Sequence, residues 1–336
     1  MAKVTIQEIA EKLGISRFAV SRALSGGAGV SEETRERVKK MAKKLGYVPR
    51  NSKRLNNDGF RTRNILFMIR REHIRDQNFW PMVIAGAESA TKKRHLNLIM
   101  TVVEPEEEDH GVLPPVFSAN NIDGVLAVCD FHPVFLEAMA NQDQPVILVD
   151  AEGNGDFDTV VIDDWQGGKI ATEHLIGKGH REICFVGDLT MATSFYRRYL
   201  GYGYAMSQAG LDVRDELSMG YVEENNSEFL RKLKEIAGSV QGFVCANDQM
   251  AINLIAFLTE IGFSVPDDLS VVGFDNITPA IGSKPALTTI HVYKERIGER
   301  AVELLEWRRK NLAYPRETIS IGVRLIERSS VRERRE

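Results

Sequence analysis

Thr5-Ile6-Gln7-Glu8-Ile9-Ala10-Glu11-Lys12-Leu13-Gly14-Ile15-Ser16-Arg17-Phe18-Ala19-Val20-Ser21-Arg22 reads as helix, tight turn, helix. Thr5 can cap the first helix, with Glu8 three residues on reaching back in a capping box. Ile6, Ile9, Ala10 and Leu13 then fall at i, i+3, i+4 and i+7 on one face, and Gly14 can take the left-handed backbone that ends the helix. Ser16 caps a second helix whose Ala19, Val20 and Leu24 face inward, leaving Arg17, Phe18, Ser21 and Arg22 outward near its N-terminal half. In a helix-turn-helix that half lies in the major groove. An ordinary amphipathic helix would show the same spacing.

The turn Gly26-Gly27-Ala28-Gly29 leads to Ser31, the cap of a third helix with Glu32 and Glu33 in its first turn. Its apolar positions are Val38, Met41, Ala42 and Leu45, and it stops at Gly46. Charge supports a polyanion partner. Residues 1–63 hold 15 Lys and Arg against 6 Asp and Glu, a net of +9, while the remaining 273 residues carry a net of −13. Phosphate neutralisation releases counterions and supplies most non-specific DNA affinity, although a solvated basic face also fits the charge run alone.

The other 273 residues read as a separate α/β body. Short β-rich runs at 65–69, 125–128, 146–149, 160–162, 183–186, 243–245 and 271–274 alternate with helical patterns at 82–93 and 248–261, which predicts parallel sheets covered by helices. So many strands point to two subdomains rather than one sheet. With 336 residues and 43% apolar content, the chain can bury cores of that size. Cys129, Cys184 and Cys245 sit in apolar runs without metal spacing and read as core fillers. No signal peptide and no apolar run near 18 residues is present, so membrane insertion is not expected and the expected compartment is the cytoplasm.

Open parallel sheets bind ligands beyond the C-terminal ends of their strands. Asp150 follows the run 146–149, Asn247 and Asp248 follow 243–246, and Asp275 follows 271–274. These acceptors, with the forked donor of Arg198 and the aromatic faces of Phe79, Trp80 and Trp165, suit a polyhydroxylated ligand. Each has a plain structural reading too: Asp248 and Asp275 as caps or turn formers, Trp165 as packing at a domain seam.

Val20-Ser21-Arg22, Ser31-Glu32-Glu33-Thr34-Arg35 and Leu45-Gly46-Tyr47-Val48-Pro49 resemble the headpiece of the LacI/GalR family of bacterial transcription regulators. The resemblance continues through Ile122-Asp123-Gly124-Val125, Ala171-Thr172-Glu173-His174-Leu175, Gly179-His180-Arg181, Ala246-Asn247-Asp248 and 265–275. It implies an N-terminal three-helix headpiece with a hinge, followed by a periplasmic-binding-protein-like α/β core of two doubly wound parallel-sheet subdomains. The corresponding boundaries are 1–46 for the headpiece and 47–61 for the hinge. The N-terminal core subdomain takes 62–163 plus 291–322, and the C-terminal one 164–290 plus 323–330.

It further implies a homodimeric transcription regulator, more often a repressor, that binds a near-palindromic operator under control of a sugar. Asp150, Arg198, Asn247 and Asp275 fall where the family's effector contacts fall, while Asp248 is kept as a cap. Phe79, Trp80 and Trp165 complete the candidate effector set. The candidate DNA-contacting set is Thr5, Ser16, Arg17, Phe18, Ser21, Arg22, Ser31, Thr34, Asn51 and Leu55.

Departures qualify this. Ala19 stands where a threonine is common. In the hinge, Leu55 is one residue early for the family's minor-groove wedge, and Asn56, Asn57 and Gly59 are poor helix formers. Arg70, Arg71 and Arg75 make the loop after the first strand unusually cationic, which opens an acidic or phosphorylated sugar if an arginine reaches the cleft and is otherwise a solvated or subunit-interface loop. A purine or a phosphoprotein partner is also open. Residues 104–110 read as an exposed acidic connection, and the C-terminus has no leucine heptads for a tetramerising coiled coil. A solute-binding protein, or an enzyme using Asp150 and Asp275 on a glycoside, are the competing classes. No cofactor or metal is expected, and no HExxH, P-loop or GxSxG occurs.

Overall fold

The first helix forms where its apolar spacing places it: α1 spans Ile6–Leu13 and ends on Gly14, whose φ of 64° is the left-handed value that glycine adopts without strain. Ala19, Val20 and Ala23 are helical, and α2 spans Glu32–Leu45. Ile9, Ala10, Val20, Ala23, Val38 and Ala42 close one small core, with Leu13, Ile15, Val30, Met41 and Leu45 packed on its rim. This computed structural model describes residues 6–16, 19–20, 23, 30–45, 60–117, 121–152, 156–214, 217 and 226–334. Thr5, Arg17, Phe18, Ser21, Arg22, Asn51 and Leu55 lie outside the described residues, as does nearly all of the expected hinge. The chain divides into two units, Met1–Thr62 and Arg63–Glu336.

The second unit holds two sheets. In the first, β1 (Asn64–Arg70), β2 (Asn97–Val103), β3 (Gly124–Val128), β4 (Val146–Val149), β5 (Asp158–Ile162) and β10 (Thr318–Ile321) run in the order β10-β5-β4-β3-β1-β2. All pairs are parallel. In the second, β6 (Ile183–Val186), β7 (Gly242–Cys245), β8 (Ser270–Asp275), β9 (Thr288–His291) and β11 (Arg324–Ile326) run β11-β9-β8-β7-β6, with only β11 antiparallel. Leu217 bridges the free edge of β6 at Val186. Every residue of β3, β4, β6, β7 and β8 is buried, which is why these strands read as continuous apolar runs rather than alternating ones.

The helices that matter for the site are α3 (Trp80–Lys93), α4 (Pro105–Asp109), α5 (Pro133–Ala140), α6 (Asp164–Gly177), α7 (Thr193–Gln208), α8 (Asn226–Ile236), α9 (Asp248–Glu260), α10 (Thr278–Gly282) and α11 (Lys294–Lys310). The chain passes between the sheets three times: from β5 into α6, from β9 into α11, and from β10 into β11. The two lobes therefore share three connections, a construction suited to hinged movement. All three cysteines are buried and free. Among the described residues no helix is long and apolar enough to cross a membrane.

Residues 104–110 differ from their sequence reading. Instead of an exposed connection they form α4, whose capping box joins Glu104 to Glu107, and Glu108 is buried. Its carboxylate accepts the His132 N–H at 2.7 Å and pairs with Arg70 Nε at 2.8 Å. Acidic composition suggested solvent, but one carboxylate with a cation and an amide to bind can be buried at low cost.

Candidate functional site

In the headpiece the described candidates are caps. Ser16 Oγ accepts the Ala19 N–H at 3.1 Å, and Ser31 Oγ accepts the Thr34 N–H at 3.3 Å while lying 2.9 Å from Thr34 Oγ1. Ser16 and Ser31 are exposed at helix N-termini, where amide groups and the helix dipole favour a phosphate.

The second constellation lies between the lobes, at the C-terminal ends of the strands. Cys129 and Asp150, which directly follow β3 and β4, and Asp275, which ends β8, have φ of 77°, 54° and 107°. Left-handed backbone at three such strand ends is disfavoured for residues with a Cβ and persists where surrounding structure enforces it, most often at functional sites. At the centre is Arg198 of α7, 3% exposed. Its Nε donates to Asp164 Oδ1 at 2.7 Å, its Nη1 donates to the Ala246 carbonyl at 2.6 Å, and its guanidinium lies 3.7 Å from the Phe274 ring centre.

Helix packing delivers that arginine. A Cβ on Gly168 would sit 2.0 Å from the Arg198 carbonyl oxygen, and one on Gly201 would sit 2.0 Å from the Trp165 carbonyl, so α6 and α7 touch backbone to backbone only because both are glycine. Asp275 stands 3.9 Å from Arg198 Nη1, and its buried Oδ1 has no hydrogen-bond partner. Lys294 Nζ donates to the Asp275 carbonyl and lies 5.8 Å from the Phe79 ring centre.

The carboxyl groups here are held unusually protonated. Burial pushes Asp150 up to about 8, with Asp164 adding to it and Arg198 opposing. Burial also raises Asp275 to about 6 against Arg198 and Lys294, and raises Asp164 despite its bond to Arg198. Asp248, raised by burial and by Asp275 to about 7, lies beneath, accepting the Ile277 N–H at 2.8 Å and the Thr289 hydroxyl.

A cavity of about 520 Å³ opens between the lobes, with Arg70, Glu108, Asp130 and His132 on one side and Thr190, Thr193 and Tyr196 on the other. Asp130 on its wall accepts, through Oδ1, the N–H of Glu152, two residues after Asp150, at 3.2 Å. Asp130 Oδ2 also accepts the Thr193 N–H across the cleft at 3.2 Å, and Arg197 pairs with Glu152 across it.

The comparisons with known proteins agree at both ends of the chain. Residues 5–50 match the model of bacterial regulatory proteins of the lacI family, and residues 172–331 match a periplasmic binding protein-like domain. The chain is 30% identical over 338 residues to the HTH-type transcriptional repressor PurR of Erwinia tasmaniensis, covering 97% of this chain and 96% of that one. It belongs to the LacI family. The PurR repressor of Mannheimia succiniciproducens is 29% identical over 98% of this chain and 99% of its own. A solved complex of the transcriptional regulator CelR with cellobiose is 26% identical with a TM-score of 0.71, covering 98% of this chain and all of that one. The lac repressor dimer bound to operator, at 21% identity, 98% and 100% coverage and a TM-score of 0.68, shares the fold.

This LacI-family chain is thus a DNA-binding transcriptional repressor, and its relatives being repressors removes the glycoside-acting enzyme. Of the expected effector residues, Asp150, Arg198 and Asp275 come together. Phe79 reaches the group through Lys294. Trp80 packs edge-on against Phe79 at 4.8 Å and His73 at 5.7 Å, inside lobe 1, the lobe built on the first sheet, lobe 2 being the one built on the second. Trp165 lies against Tyr204 at 5.0 Å, where α6 meets α7.

The helix cap read at Asp248 falls to Asn247. Asn247 Oδ1 caps α9 by accepting the Met250 N–H at 2.8 Å, and Asp248 ties that helix to Ile277 and Thr289 instead. Sequence reasoning missed Asp130, Asp164 and Thr193. Asp164 carried a readable signal: a second acidic residue after Asp163, where β5 gives way to α6, is one more carboxylate than a cap requires.

Proposed function

We propose that this repressor acts as a homodimer on near-palindromic operator DNA in the cytoplasm, and that a small polyhydroxylated ligand of the sugar class, bound between the lobes, sets its DNA affinity. The observation that carries the ligand reading is the buried, unpartnered Asp275 Oδ1 beside Arg198, in a group drawn from both lobes. A polar atom without a partner costs about 1–3 kcal/mol when buried, so such a group is held for something that binds it. The CelR regulator, solved with cellobiose, supports the ligand class. A ligand that contacts both lobes favours the arrangement in which they are closest and shifts the population accordingly.

An acidic or phosphorylated sugar has less support. Arg70 is committed to Glu108 and Glu72, Arg71 to Glu104, and Arg198 to Asp164. Fluorescence anisotropy on DNA from upstream of the gene, titrated with neutral, amino and phosphorylated sugars and with purine bases, tests the reading. A sugar that changes DNA affinity is the expected result. If only purine bases did so, the sugar assignment would fall.

A further inference from the structure

We infer that the effector carries a protonated amine beside its hydroxyls, and that Asp150 and Asp275 receive that amine. This rests on the sugar-class reading and narrows it to amino sugars and related polyhydroxylated amines.

Charge is unbalanced around the site. Asp164, Asp130 and Asp275 raise Asp150, Asp76 and Asp164 raise Asp275, and the cations set against them are Arg198, Lys294 and, at Asp164, Arg197, which is itself paired with Glu152. Both central cations are already engaged: Arg198 donates to Asp164 and to the Ala246 carbonyl with the Phe274 ring against its face, which leaves its remaining N–H groups for ligand hydroxyls, and Lys294 donates to the Asp275 carbonyl. Among the described residues nothing donates a hydrogen bond to the Asp150 carboxylate, whose backbone N–H alone is engaged, with Val160. Asp275 is 8% exposed and its Oδ1 is unpartnered. Two acceptors, one from each lobe and both short of donors, can share the three N–H groups of an ammonium.

The rest of the surroundings agree. Cys129, packed beside Asp150, is kept a thiol by burial and by that carboxylate, and burial lowers His73 toward its neutral form, so neither supplies a compensating cation. Arg70 neighbours Asp130 but is paired with Glu108. Among the described residues no three His, Cys, Asp or Glu side chains converge in a metal-holding geometry, so a metal ion does not fill the role. Buried carboxylates short of positive charge are expensive to ionise, and a ligand cation lowers that cost while its own charge is neutralised. Because Asp150 is mostly protonated at neutral pH, binding an ammonium must draw its proton off into solvent.

Matched ligand pairs on the full-length protein test this by isothermal titration calorimetry: glucosamine against glucose, galactosamine against galactose, each with its N-acetyl form and its 6-phosphate. The expected result is that one free amine binds at least about ten-fold tighter than both its neutral parent and its N-acetyl form. Repeating that titration in buffers of different ionisation enthalpy should show net proton release. Asp150→Asn should lower the ratio of amine to neutral-parent affinity toward one and abolish the net proton release. A neutral, acetylated or phosphorylated sugar that binds as well as the amine overturns the inference and leaves the sugar reading standing. If only purine bases bind, the sugar reading fails and this falls with it. Should Asp150→Asn fold poorly, the affinity ratio and proton release in the unaltered protein decide alone.

Discussion

Each lobe buries an arginine against an aspartate, and the two pairs are finished to different degrees. In lobe 1, Arg308 of α11 uses its whole fork. Nε and Nη2 bind the two oxygens of Asp158 at 2.6 Å each, Nη1 donates to the carbonyls of Asn311 and Tyr314, and Nη2 also donates to that of Pro315. Asp158 is completed by the Glu317 N–H at 2.9 Å. In lobe 2, Arg198 makes two hydrogen bonds, and the nearest further acceptor, Asp275 Oδ1, waits at 3.9 Å without a donor. A guanidinium has five N–H donors. One lobe has spent them on its own fold; the other keeps an incomplete set at the cleft. Burial of an ion pair does not by itself mark a binding site; what sets this pair apart is an unpartnered acceptor beside unused donors at the cleft.

The largest expected effect follows from breaking the finished pair. Arg308→Met leaves Asp158 buried with one amide and the peripheral Arg316, and should cost about 3–5 kcal/mol in chemical denaturation. Arg198→Met should cost less than that, leave DNA affinity intact and abolish the effector response. If the two variants lose equal stability, the contrast between the lobes is wrong.

Next in size are the helix contacts that present both arginines. Lobe 1 repeats the glycine device of lobe 2: a Cβ on Gly298 would meet the Val83 carbonyl at 2.0 Å, as one on Gly201 would meet that of Trp165. Gly298→Val and Gly201→Val should each destabilise by about 1–3 kcal/mol or more, because backbone cannot yield as a flexible side chain can. Only Gly201→Val should also weaken effector binding, by moving Arg198 off Phe274. Equal loss of binding in both would mean that the effect is general unfolding.

The unfinished group should show itself in the pH dependence of stability. Asp275, at about 6 in the folded protein, and Asp150, at about 8, both lie above the unfolded carboxyl value near 4. The native state therefore binds more protons than the unfolded one through this window, so their contribution turns unfavourable as pH rises from about 4 through 6 to 8. Asp275→Asn should raise stability at pH 7.5 by about 1 kcal/mol and change little near pH 4. Thermal melts across that range check it, and a variant less stable at every pH would show that Asp275 is structurally required.

How much of this was legible in sequence follows from burial. Strands β3, β4, β6, β7 and β8 are buried throughout, and their apolar runs announced them; β2 and β10 are edge strands, part-exposed along most of their length, and blended with loops. The headpiece core was legible because Ile9, Val20 and Val38 obey helical spacing. In the cleft, residue type and strand-end position brought forward Asp150 and Asp275 as candidates, and family resemblance brought forward Arg198. They failed for Asp130 and Thr193, because the bond between them joins residues 63 apart in sequence and exists only once the lobes face each other. They also put the helix cap at Asp248 rather than at Asn247, since either side chain can cap a helix and only the folded geometry decides which does.

The smallest stability effect should come from the cross-cleft pair Arg197–Glu152, whose side chains are 47% and 41% exposed. An exposed pair contributes between about 0 and 1 kcal/mol and is screened by salt, so Glu152→Gln should leave the unfolding midpoint nearly unchanged. Yet this pair joins the lobes, in parallel with the Asp130 to Thr193 bond, and a small free energy applied to a two-state closure moves its population without touching either core. Small-angle scattering of Glu152→Gln should therefore show a more open average than the unaltered protein at low salt, with the difference vanishing as salt rises. A variant that loses stability but scatters identically would place Glu152 among the fold's own supports, on the side of Asp158 rather than that of Asp275.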